Sequence, residues 1–162
     1  MLLALALVAG AGLGGGGGEQ RRASGPARED AVARVVDGDT VILAALGRSR
    51  LIGVDTPEVH GRRECFGEQA SAFTKRLLAR QPVRYALGAQ ARDGYGRALV
   101  YLWLADGRFV NELLVAGGYA RALQIAPNVR HAQLLRRQAR DARTAGRGLW
   151  SHRACPAAVE VG

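Results

Sequence analysis

VVDGDTVIL, residues 35–43, sets two acids, Asp37 and Asp39, on either side of one glycine. Two apolar, β-branched runs flank Asp37-Gly38. Asp-Gly between such runs is a hairpin signal, because both residues tolerate the positive φ that a tight turn of matching twist requires. One acid suffices for that turn. Asp39 is therefore left over at the head of the second strand, as a candidate for chemistry.

Outward from this turn the pattern stays regular. Ala31–Val36 and Thr40–Ala45 read as the paired strands, and Arg48–Val54 follows Gly47 as a third. Phe66, Ala70, Phe73, Leu77 and Leu78 then recur at helical spacing until Pro82 bars continuation. Val83–Leu87 and Ala98–Leu104 are two more strands, the second ending at Asp106-Gly107. A short helix is predicted around Phe109–Ala116, stopped by Gly117-Gly118. A last helix is expected to start near Asn128 as its N-cap, carry Leu134, Leu135, Ala139 and Ala142 inward and end at Gly146, with Arg136, Arg137, Arg140 and Arg143 on its other face. Five short strands with a helix after the third predict a mainly β protein with α: a five-stranded OB-fold barrel with three helices. Such barrels bind ligands more often than they catalyse, so the fold alone does not make an enzyme.

The chain of 162 residues, 48% hydrophobic, suits one domain with a real core. Residues 1–18 read as a signal peptide or an N-terminal apolar leader, 19–30 as a flexible linker, 31–151 as the folded domain and 152–162 as a C-terminal tail. The apolar run is too short to cross a bilayer comfortably, so export is the expectation and a membrane anchor the second possibility. Twenty-three basic against 14 acidic residues give a net charge of +9. The charges of Glu19, Arg21, Arg22, Arg28, Glu29 and Asp30 cancel, which leaves the surplus on the domain. Such a surplus attracts polyanions, but it serves solubility equally well and does not decide function.

The second informative run is RLIGVDTPE, residues 50–58. Asp55 ends a strand, Glu58 lies one tight turn later past Thr56-Pro57, and Asp39 begins the neighbouring strand, so three carboxylates could converge at one barrel end. Acids gathered in this way are costly unless a cation sits among them, and hard oxygens suit Ca²⁺ or Mg²⁺ and not zinc. Each acid taken alone is an ordinary turn or helix-start residue. Their coincidence with Arg50 and with RDGYGR, residues 92–97, favours a phosphate site, because two guanidinium forks match phosphate oxygens. Arg50 and Asp55 are five positions apart and would face opposite sides of a regular strand. Irregular backbone is therefore predicted at Gly53 to Asp55.

At these residues the sequence resembles the thermonucleases, the staphylococcal (micrococcal) nuclease-like family. VVDGDT, RLIGVDTPE, FGEQASAFTKRLL, RDGYGRALVYLW, DGRFVNELLVAGGYAR and GRGLW come in the family's order and spacing between Ala31 and Trp150. The resemblance implies a Ca²⁺-dependent nuclease that cleaves DNA and RNA and leaves 3′-phosphate ends. It implies Asp39 and Asp55 as calcium carboxylates and Thr56 as a carbonyl ligand. Glu58 would be the general base toward water, directly or through the metal's water network. Arg50 and Arg97 would be the phosphate-clamping arginines, Tyr95 the tyrosine beside the substrate phosphate, and Asp37 a group supporting the ligands from behind. DNA and RNA are the implied substrates, no stable protein partner is implied, and a monomer is expected.

The sequence departs from the family at Gly94, where the best-known member has a lysine, and at Leu123 and Ile125, where it has tyrosines. Tyr119 does not obviously replace them, and Trp103, within an apolar strand, reads as core. Cys65 and Cys155 are the two cysteines, and in an exported protein a lone pair is most simply a disulfide. With His60 and His152 they could also form a zinc site, though the spacings match no common zinc pattern. The competing class is a non-catalytic nucleic-acid-binding barrel of the same fold. Loss of any of Asp39, Asp55, Glu58, Arg50 or Arg97 would favour it, and all five are present.

Overall fold

In the computed structural model, which describes residues 27–61 and 63–156, alternating burial and turn chemistry close a β-barrel. The strands are β1 (Arg28–Val35), β2 (Thr40–Leu43), β3 (Gly47–Leu51), β4 (Val54–Asp55), β5 (Pro82–Arg92), β6 (Ala98–Leu104) and β7 (Arg121–Ala122). The helices are α1 (Gly67–Leu78), α2 (Val110–Ala116) and α3 (Ala132–Thr144), with a 3₁₀ turn at Gly148–Trp150. Barrel order is β1-β2-β3-β6-β5, while β4 and β7 form a separate two-stranded ribbon. This is the expected five-stranded barrel with three helices. Among the described residues no helix is long and apolar enough to cross a membrane.

Val41, Leu43, Leu51, Val83, Val100 and Leu102 point into the barrel, fully or almost fully buried. Burial of a side chain of this size stabilises by about 1.5–3 kcal/mol, so this interior holds the barrel closed. Two features position the site. First, β3 and β6 run parallel, with Ser49 opposite Ala98, so the segment bearing Arg50 lies beside the one bearing Arg97. Second, the buried Asn111 accepts from the Leu102 amide at 3.0 Å and donates to the Ile52 carbonyl at 2.8 Å, which ties β6 to the turn after β3.

Several expectations shift. β1 begins at Arg28, three residues inside the stretch read as linker, because Arg28, Glu29 and Asp30 pair with Tyr85, Arg84 and Val83 of β5. The leader at 1–18 and the linker as far as residue 26 lie outside the described residues, as do residues 157–162 of the tail. β5 runs on to Arg92, past the Leu87 expected, through a register irregularity between the two. α3 starts at Ala132 and not near Asn128. The Asn128 side chain is spent elsewhere: it accepts from the Gln90 amide at 2.9 Å and donates to the Gln90 carbonyl at 3.0 Å. The arginine face of α3 is exposed and Leu135 and Ala142 are buried, as the periodicity requires. Trp103 is core, stacked on Phe109, and Tyr119 stacks on Phe73 of α1. Cys65 and Cys155 form a disulfide, which fastens the chain beyond Trp150 to the start of α1 and excludes the zinc alternative.

Candidate active site

Asp39 is placed by a turn that its neighbour builds. Asp37 Oδ1 accepts from the Asp39 amide at 3.1 Å and from the Thr40 amide at 2.7 Å, an Asx turn that frees Asp39 to point elsewhere. Gly38 does not adopt positive φ, contrary to the reading of the turn. Glycine is required there by space, since an added Cβ would lie 2.6 Å from Thr56 Oγ1. From the other side, Thr74 of α1 donates its hydroxyl to the Gly38 carbonyl at 2.8 Å, anchoring the turn to the helix.

Asp39 is buried, only 6% exposed, and both its carboxylate oxygens have polar partners. Oδ2 accepts from the Thr56 amide at 2.9 Å and from the Thr56 hydroxyl at 2.8 Å. Oδ1 accepts from the Thr40 hydroxyl at 3.3 Å and lies 3.1 Å from Arg50 Nε. Burial raises its proton affinity above that of an ordinary aspartate, and the Arg50 charge and the Thr56 amide only partly reverse this.

Arg50 joins the two halves of the site. Nη1 donates to the carbonyls of Leu51 and Val54 at 2.9 and 2.8 Å, Nε faces Asp39, and Nη2 lies 3.6 Å from Asp55 Oδ1. The expected irregularity makes this possible. After β3 the chain turns at Ile52-Gly53, Gly53 takes φ +80°, and β4 brings Asp55 back toward Arg50. β4 is held by β7, with Asp55 opposite Arg121. The Asp55 side chain is half exposed, at 49%, and so remains open to a ligand.

Arg97 is held by a residue the sequence reading did not single out. Asp93 Oδ1 accepts from the amides of Tyr95 and Arg97 at 3.0 and 2.9 Å, and Oδ2 takes Arg97 Nε at 2.7 Å. Burial alone would push the Asp93 carboxyl up, but the Arg97 side-chain and backbone hydrogen bonds outweigh it and hold it below the ordinary range. The Asp-Gly at 93–94 is the signal that could have marked it. Tyr95 is 88% exposed, with the Arg97 guanidinium 5.5 Å from its ring centroid. Arg48, also not singled out, joins these two in lining an open pocket of about 290 Å³.

Glu58 is not among the carboxylates that pair with Arg50. Its side chain is exposed, and its backbone is pinned to the segment before α1: the carbonyl accepts from the Glu64 amide at 2.9 Å and the amide donates to Glu64 Oε2 at 3.2 Å. The convergence of three carboxylates expected from sequence is therefore not seen. Among the described residues no group of three acid, histidine or cysteine side chains is placed to hold a metal ion. Glu58 is exposed two residues past Thr56, while Asp39 and Asp55 both lie against Arg50. These two carboxylates with the neighbouring Thr56 form a set of hard oxygen donors, the chemistry suited to Ca²⁺ or Mg²⁺.

Residues 48–152 match the family described as staphylococcal nuclease homologue. The chain is 39% identical over 127 residues to the thermonuclease of Staphylococcus hyicus, covering 75% of each chain. It is 40% identical over 125 residues to the thermonuclease of Staphylococcus intermedius, covering 74% of each. It is 32% identical over 126 residues to the endonuclease YncB of Bacillus subtilis, covering 73% of this chain and 59% of that one.

Proposed function

The chain belongs to the staphylococcal nuclease family and is a phosphodiester-hydrolysing nuclease, and from that premise we propose that it is an exported, Ca²⁺-dependent enzyme cleaving DNA and RNA with little sequence preference, leaving 3′-phosphate ends. When bound, a Ca²⁺ ion held by Asp39, Asp55 and the Thr56 carbonyl supplies positive charge against the phosphoryl oxygens. Arg97 offers its terminal nitrogens, since Nε is committed to Asp93, and Arg50 offers Nη2, since Nη1 is committed to two carbonyls. In-line attack by water builds negative charge on the equatorial oxygens, and these two guanidiniums stabilise it. Glu58 takes the proton of the attacking water, directly or through one more water. Tyr95 lies beside the phosphate. Because water is the nucleophile, no 2′-hydroxyl is needed, and both nucleic acids are substrates. Export is supported by the apolar first stretch and by the Cys65–Cys155 disulfide, a bond that persists in oxidising compartments.

The observation that carries this reading is the contact of one arginine, Arg50, with both candidate metal carboxylates, Asp39 and Asp55. The test is incubation with end-labelled single-stranded DNA and RNA, in Ca²⁺ and in chelator. Fragments of both substrates in Ca²⁺ only, with ends sensitive to a 3′-phosphatase, are expected. Fragmentation that persists in chelator, or 3′-hydroxyl ends, would contradict it. N-terminal sequencing of protein recovered from the growth medium of a secreting host tests export, which predicts loss of the apolar leader.

A further inference from the structure

Arg48 lies two residues before Arg50 on β3, with the fully buried Ser49 between them. Alternation along a strand therefore turns Arg48 and Arg50 to the same outer face, with their Cα atoms about 6–7 Å apart. Because Ser49 lies opposite Ala98 in the parallel β3–β6 pair, Arg48 comes abreast of Arg97. Three guanidiniums thus share one side of the barrel, and their compensation is uneven. Arg50 has Asp39 and Asp55, Arg97 has Asp93, and among the described residues no carboxylate lies within 4.0 Å of Arg48. Uncompensated like charges packed together are unfavourable unless an anion arrives. The pocket that Arg48 lines is open, and its third wall is the exposed Tyr95 ring. Gly94 adds no obstruction, since a Cβ there would meet nothing within 4 Å.

We propose that the pocket formed by Arg48, Tyr95 and Arg97 holds the nucleotide next to the cleaved one, with Arg48 pairing its phosphate and the free face of Tyr95 taking its base. This rests on the nuclease reading, which places the scissile phosphate between Arg50 and Arg97. The spacing from Arg50 to Arg48 is of the order of one nucleotide step, so a strand seated at the first presents its next phosphate at the second. Phosphate contacts of this kind set register and carry no sequence information, which suits a nuclease with little base preference. Stacking on an exposed aromatic is equally tolerant of sequence.

The test has a binding arm and a kinetic arm. In chelator, fluorescence anisotropy with a labelled single-stranded oligonucleotide is measured against salt for wild type, Arg48→Ala and Arg48→Lys. One lost phosphate contact on a single strand lowers the log–log salt slope by about 0.7. Arg48→Ala is expected to show that drop and about tenfold weaker binding, and Arg48→Lys to keep the slope. In Ca²⁺, Arg48→Ala is expected to raise KM far more for an oligonucleotide than for a dinucleoside monophosphate, which has no second phosphate to place. An unchanged salt slope, or an equal fractional loss on the two substrates, would overturn the proposal. The arms separate the two readings: a wild type that cleaves nothing defeats the nuclease reading, while the salt slope still decides the pocket.

Discussion

Thr56 donates both its amide and its hydroxyl to one oxygen of Asp39, at 2.9 and 2.8 Å, across a separation of 17 residues in sequence. Asp39 immediately precedes β2 and Thr56 immediately follows β4, so this pair of hydrogen bonds closes the acid end of the site. It turns the other Asp39 oxygen toward Arg50 and fixes the stretch that leads from Asp55 to Glu58.

Thr56→Val keeps the shape of the side chain and removes the hydroxyl. Loss of a hydrogen bond to a buried charged group is expected to cost about 1.5–3 kcal/mol of stability. Loss of a residue that orients a metal ligand is expected to weaken Ca²⁺ activation about 10–100-fold. Thr56→Ser, which restores the donor, is expected to recover most of both. Denaturant melts and the Ca²⁺ dependence of the cleavage rate measure the two effects.

Asp93 acts through Arg97, whose Nε it holds at 2.7 Å. Asp93→Ala frees the guanidinium and removes the acceptor for two turn amides. The expected result is a kcat reduced about 10–100-fold, of the order seen when one preorganised donor is misplaced. Asp93→Asn keeps an acceptor for the amides and should recover turn stability without recovering the full rate. Equal kcat values for wild type and Asp93→Ala would show that Arg97 does not need this partner.

His131 sits half-buried against Tyr101, Phe109 and Trp103, with ring centroids 4.7, 4.8 and 6.1 Å away, and its Nε2 is buried without a partner among the described residues. Burial, reinforced by the Arg130 charge, holds its pKa in the folded protein below the ordinary 6.5. Above that value both states are neutral and the group does not affect stability. As pH falls through 6.5 the unfolded chain takes up the proton first, so stability declines until the folded pKa is passed. His131→Phe is expected to flatten this part of the acid limb. Urea unfolding of both proteins at about pH 7.5 and about pH 5 measures the difference, which must widen at the lower pH.

The Cys65–Cys155 disulfide closes a sequence separation of 90 residues. Chain entropy gives such a cross-link up to about 4–5 kcal/mol. Reduction is therefore expected to lower the unfolding free energy by several kcal/mol while the barrel still folds. Thermal melts with and without reductant, followed by tryptophan fluorescence, measure it.

Local chemistry makes much of this molecule legible in its sequence, and contacts between distant residues make up the remainder. The strands flanking 37–39, the irregular step at Gly53 and the burial of Trp103 follow from alternation, turn residues and apolar context. The reason for Gly38 does not, because the atoms that exclude a side chain there belong to Thr56. Asn128 reads as a helix cap by its neighbours, yet it is claimed by Gln90, 38 positions away. The start of β1 is hidden by a charged composition that suits both a linker and the exposed end of a strand. At the site, Asp39, Arg50 and Asp55 come together through the irregular step at Gly53 that their spacing requires. Glu58 forms no metal-holding group of three with them among the described residues, and its backbone is tied to Glu64 in the segment before α1. Arg48 is invisible to motif reading and emerges only from the parallel register of β3 with β6.

Calorimetric titration of Ca²⁺ into the purified protein and into Asp55→Asn, without nucleic acid, tests the account at its centre. Asp55 is half exposed, so the substitution leaves the barrel intact while removing one charged donor. The expected result is one ion bound per wild-type chain, with affinity at least about tenfold weaker in Asp55→Asn. Equal affinity in the two proteins, or no binding by the wild type, would contradict a metal site built on Asp39 and Asp55.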